Sequence, residues 1–222
     1  MIAAAFLLAS LAPPQESRPA SRPAAPDPPA LVLELSSPDP DAREAAADAL
    51  RKIGRPAVPA VRGALHAADA GARRLAVLLL GEFEAKEAAP HLERAVRSDP
   101  CEQVRAEAVC SLAKIRPEGC SEIFAEVLRD ELAPRVLRAV LVTIRELRDP
   151  GAVEAVLSFA EGTQDRYLQA AAARTLGNLT GQRCGPDFAA WRAWWTEYGP
   201  KFLEMQKRTA ADAPQSRPAS PP

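Results

Sequence analysis

The chain has little that would serve metal, redox or phosphate chemistry. It holds four cysteines, two histidines and eleven aromatic residues among 222. Cys101, Cys110, Cys120 and Cys184 do not have the spacing of a small disulfide framework. His66 and His91 come without Cys-x2-Cys or His-Glu-x2-His spacing, so no metal set is expected. No Gly-rich phosphate loop and no Gly-x-Ser-x-Gly turn occurs, and paired carboxylates such as Glu122 and Glu126 have ordinary surface spacing. No catalytic residue and no cofactor are expected. The formal net charge is −1, so no global field steers the chain toward nucleic acid or a membrane. Long apolar runs are also lacking. The longest candidate, Ile2–Leu11, is too short to span a bilayer.

That short run, closed by Ser10-Leu11-Ala12, has the shape of a secretory signal over residues 1–12. The expected location is therefore secreted, periplasmic or cell-envelope, with no integral span once the signal is removed. Residues 13–30 and 209–222 share a Pro/Ala/Ser/Arg vocabulary, and Ser-Arg-Pro-Ala occurs in both. Such stretches cannot bury enough apolar surface to fold and are expected to be disordered.

Between the tails lies a periodic pattern. Ile53, Phe83, Ile115, Leu147 and Leu179 are spaced by 30, 32, 32 and 32 residues. Three residues before each stands Leu50, Leu80, Leu112, Ile144 or Leu176, and seven before stands Ala46, Ala76, Ala108, Val140 or Ala172. One face at helical spacing, recurring at fixed period, predicts stacked helical pairs. After each anchor a break is followed by a second apolar helix, as at Arg116-Pro117-Glu118 before Ile123, Phe124 and Val127. Asp39, Asp69, Asp99, Asp149 and Asp165 are expected to start helices as N-caps, and Gly181 to stop one.

These residues resemble the HEAT-like repeat family, in its short form grouped with phycobilin-lyase repeats. Arg43, Arg73 and Arg105, each with alanine three residues on, carry the resemblance, while Leu137 and Gln169 depart from it at the arginine position. The resemblance implies an all-α fold: a right-handed α-solenoid of about five helical hairpins over 31–181.

Residues 182–208 add a different ending. Phe188, Trp191, Trp194, Trp195, Tyr198 and Phe202 supply six of the eleven aromatics. Phe188, Trp191, Trp195 and Tyr198 share a helical face that would cover the last repeat. Trp194 falls off that face and is the expected exposed aromatic. Of the cysteines, Cys110 and Cys120 are expected as small buried hydrophobes, and as the only pair placed to bridge.

Helical solenoids bind along a concave surface lined by second helices. Here Arg55, Arg62 and His66 make that surface basic at one end, His91 lies in a mixed stretch, and Glu122, Glu126 and Glu154 make the other end acidic. A protein or peptide of opposite polarity is the expected partner, which makes the chain a non-catalytic interaction scaffold. A phycobilin-lyase-like enzyme or chaperone is the second expectation. A HEAT-like nucleic-acid binder is the third, and the acidic half-groove argues against it.

Overall fold

The computed structural model describes residues 27–212. The expected signal at 1–12, most of the expected linker and the end of the tail lie outside these residues. The described residues form eleven α-helices with short 3-10 turns and no strand. The helices are α1 (Pro28–Glu34), α2 (Pro40–Ile53), α3 (Val58–Gly63), α4 (Ala70–Glu82), α5 (Ala89–Ser98) and α6 (Glu102–Ile115). They continue with α7 (Cys120–Asp130), α8 (Pro134–Leu147), α9 (Val153–Gly162), α10 (Arg166–Thr180) and α11 (Phe188–Asp212). From α2 onward they pair into five hairpins stacked as a right-handed α-solenoid. First helices α4, α6, α8 and α10 pack in a row, and second helices α5, α7 and α9 pack against the first helix that follows them. Helix α1 lies on α2 and α3 and covers the open end.

Each first helix starts and stops by local chemistry. Asp39, Asp69 and Asp165 accept backbone amides of the first turn, and Asp149 does the same for the Pro150–Ala152 turn before α9. Asp99 departs from this pattern. Cys101 occupies the N-cap position of α6, while Asp99 accepts the Cys101 amide and is held by Arg73 of the preceding hairpin. After each first helix one residue turns left-handed: Gly54, Glu84, Arg116, Arg148 and Gly181. Only the outermost two are glycines, so the middle three hold the turn at a cost of about 1–2 kcal/mol each.

The small residues predicted to allow close approach do so. Ala46, Ala76, Ala108 and Ala172 are buried, and Leu50, Leu80, Leu112 and Leu176, three residues before the anchors, are fully covered, whereas the anchors Ile53 and Leu147 are half-buried. The tightest contact joins α4 and α6. Ser111 Oγ donates to the Val77 carbonyl at 2.9 Å, and a Cβ on Gly81 would stand 2.5 Å from that Oγ. The geometry returns two hairpins later, where Thr175 Oγ1 donates to the Leu141 carbonyl at 3.0 Å.

The last helix closes the stack. Asp187 caps it through the Ala190 amide, and Trp191 is buried with its indole N–H donating to the Gly185 carbonyl at 2.9 Å. Phe188 and Trp195 pack against the same core. Gly199 lets the Trp195 ring lie against the backbone, since a Cβ there would meet the indole at 2.8 Å. The four cysteines are free thiols. Cys120 is buried, and burial pushes its thiol up to about 11. Cys110 is exposed rather than buried, so the two are not bridged.

Candidate functional site

Three hollows follow one another along the second-helix side of the stack. The first, 280 Å³, lies between hairpins 1 and 2 and is lined by Leu65, His66, His91 and Arg94. The second, 500 Å³, lies between α5 and α7. The third, 780 Å³, lies between α7 and α9. Their walls include, in order, Arg73, Arg105 and Leu137, which occupy one position of the repeat.

That position sets the third hollow apart from the first two. Arg73 donates from Nη1 to the carbonyls of Ala67 and Ala68, each at 2.9 Å, and from Nε and Nη2 to the Asp99 carboxylate at 2.8 and 3.0 Å. Arg105 repeats this with the Asp99 carbonyl at 2.8 Å and with Glu131 at 2.6 and 3.1 Å. Each forked pair ties one inter-hairpin loop to the next, and bidentate geometry of this kind is the strong form of an ion pair. Burial pushes the Asp99 and Glu131 carboxyls up, but the guanidinium and amide hydrogen bonds more than reverse it and hold both below the usual range. In the next hairpin Leu137 replaces the arginine and Thr163 replaces the carboxylate, so no rung forms. Gln169 restores half of one by donating to the Thr163 carbonyl at 2.8 Å. Without the guanidinium the third hollow is floored by Leu128, Leu137 and Leu168, with Leu132 at its rim 89% exposed.

The expected sign change along the surface is only partly present. At the acidic end, Glu126 is paired with Arg97 at 2.8 Å. Glu154 and Glu161 are both held by Arg192 of α11, at 2.7 and 2.6 Å. These carboxylates stitch neighbouring second helices together, and only Glu122 of the expected acidic set is exposed without an ion pair among the described residues. Sequence could not reveal this, because the pairing arginines lie 29 to 38 residues away on other hairpins. Arg129, at the mouth of the third hollow, also has no ion-pair partner among the described residues. It is the one cation on a wall that also carries Glu131, Glu154 and Asp165.

The basic end is more concentrated than expected. Arg55 is tied to the next hairpin through Glu87 at 3.3 Å and the carbonyls of Phe83 and Glu84. Arg62, His66 and His91 come together with Arg94 of the stretch that the sequence reads as mixed. Burial, then the charges of Arg62, Arg94 and His66, hold the His91 imidazole below its ordinary value. Trp194 is not the free aromatic expected. It is half-buried, stacked on Tyr198 with ring centres 6.3 Å apart and edge-on to Phe202 at 5.8 Å. Tyr198, 45% exposed, is the more open ring.

No helix among the described residues is long and apolar enough to cross a membrane. A further 580 Å³ hollow on the first-helix side is walled by Arg74, Glu107, Arg135 and Arg138.

Curated protein sequences give no significant match to this chain. Among solved structures, the chain is similar to a chain in the complex of CpcE and CpcF of phycocyanin lyase from Nostoc sp. PCC7120. That likeness has a TM-score of 0.59 at 19% identity, over 67% of this chain and 96% of that one. An engineered protein is similar at a TM-score of 0.48 and 20% identity, over 81% of this chain and 88% of that one. The sequence model for HEAT repeats matches residues 28–113 and again 94–177. With its buried alanine faces, its arginine rungs and this match over most of its length, the chain belongs to the HEAT repeat family.

Proposed function

We propose that this protein is a non-catalytic interaction scaffold, exported or envelope-associated, that holds an extended segment of a partner protein along its second helices. The observation that carries the reading is the missing rung at Leu137 and Thr163, which leaves a 780 Å³ leucine-floored groove beside the unpaired Arg129. An apolar side chain of the partner fills the groove, and an acidic residue of the same segment meets the His66–His91–Arg94 end. With successive hairpins about 10 Å apart, the two ends of this track are separated by about 20 Å. An extended chain covers that distance in about six residues. The neighbouring structure is likewise one member of a complex between two proteins.

Peptide display against the purified full chain tests this reading. Enriched peptides should carry leucine or an aromatic residue with an acid about six positions away. Enrichment of basic peptides, or of no peptides, would contradict it. Amino-terminal sequencing of the mature protein tests export.

A second reading, a phycobilin-lyase-like activity, draws on the same groove, whose volume lies within the roughly 300–1,000 Å³ of small-molecule sites. Adding a bilin to the purified protein and following its absorbance separates the two.

A further inference from the structure

Among the described residues, two buried side-chain nitrogens lack any hydrogen-bond partner, Nε of Arg62 and Nδ1 of His91. Both belong to one cluster. Arg62 on α3 and Arg94 on α5 act on His91, and so does His66. Among the described residues none of the four forms an ion pair, whereas Arg51, Arg73, Arg97 and Arg105 each pair with a neighbouring hairpin. Buried polar atoms are nearly always satisfied, so two orphans side by side call for a missing partner. The hollow beside them holds 280 Å³ and is bounded by His66, His91 and Arg94 on one side and by the paired Arg73 and Asp99 on the other.

We propose that this pocket is a carboxylate-binding site. The chemistry excludes a metal cation, because two fixed guanidinium charges face the histidines. It favours a singly charged oxyanion over a dianion, because the Asp99 carboxylate lines the opposite wall and already engages Arg73. Leu65, Ala95 and Pro100 supply apolar wall for the stem of an acidic side chain or a small organic acid. Bound there, a carboxylate accepts from Arg94 and from His91, with the Arg62 charge behind them. Its charge favours the protonated imidazole, so binding takes up a proton. Affinity therefore strengthens as pH falls through the His91 range. The groups facing His91 are Arg62 and His66 from the first hairpin, Arg94 from its own helix, and Arg73 and Asp99 across the pocket. The pocket itself does not depend on the scaffold reading, which enters only in saying that the carboxylate belongs to a partner's acidic residue.

With only two histidines in the chain, imidazole proton NMR resolves the site directly, and His66→Gln assigns the signals. Sodium acetate, sodium chloride at equal ionic strength, zinc chloride and a blocked glutamate peptide are the probes, each added to the full chain. Acetate should raise the His91 midpoint by about one pH unit, equivalent to about tenfold tighter binding by the protonated form. Arg94→Gln, an exposed position, should abolish that rise with the fold intact by circular dichroism. Equal movement with chloride, no movement with acetate, or a response to zinc alone would overturn the assignment. If acetate binds but display yields no acidic peptides, the pocket stands and the scaffold reading falls.

Discussion

Arg105 grips Glu131 through two hydrogen bonds of 2.6 and 3.1 Å, with only 17% and 13% of their side chains exposed. One hairpin further on, both groups are gone. Where the tie is lost, the hollow is floored by leucine instead of a guanidinium. Breaking a mostly buried pair by removing one member leaves a charge without its partner. Arg105→Ala should lower stability by about 3 kcal/mol, read from the urea midpoint.

The α4–α6 contact predicts an asymmetry between two small substitutions. Gly81→Val places new atoms within 2.5 Å of Ser111 and within 2.9 Å of its Cα, backbone that cannot move aside. It should cost about 1–3 kcal/mol by overpacking. Ser111→Ala removes one hydrogen bond to Val77 and should cost about 1 kcal/mol. Thermal denaturation of both variants checks the order.

Helix ends offer a gain. Arg148 sits at φ 54° after α8, where glycine carries no side-chain penalty. Arg148→Gly should stabilise the protein by up to about 1 kcal/mol, and a lower denaturation midpoint would contradict the left-handed turn.

At the carboxyl-terminal end, Trp191→Ala should cost about 3–5 kcal/mol, because its ring is fully buried. Trp194→Ala should cost distinctly less, since that ring packs mainly on Tyr198 and Phe202 of its own helix. Hydrogen exchange in the Trp191 variant should rise first in α9 and α11, as neighbouring units of a stack depend chiefly on one another.

His91 predicts a pH dependence. Its folded value is depressed, so the unfolded chain binds its proton first as pH falls. The stability associated with this group is present above about pH 6.5, the ordinary histidine value, and declines as pH drops through the folded value. Guanidinium or urea melts between pH 7.5 and 5 should show that decline, and His91→Gln should flatten it.

Period, buried faces and helix caps were legible in the sequence because each depends on residues within one hairpin. Ala46, Leu50 and Asp69 report on themselves. The fate of charges was not legible, because Glu126, Glu154 and Asp99 are neutralised by arginines that the fold brings from neighbouring hairpins. Asp99 followed by proline has the look of a cap, yet Arg73 claims its side chain. Leu137 was visible as a departure from the arginine pattern. That the departure opens a groove required the paired loss at Thr163 and the three hollows in series. Trp194 misled because helical spacing places it off the core stripe without showing that Tyr198 and Phe202 shelter it.

In the proposed scaffold the partner is held where the rung is missing. Calorimetric titration of a display-selected peptide into the full chain and into a Leu137→Arg/Thr163→Glu variant tests it most directly. The restored rung should fill the groove and weaken binding at least about tenfold, a loss of about 1.4 kcal/mol, while the variant stays folded. Unchanged affinity in a folded variant would contradict it.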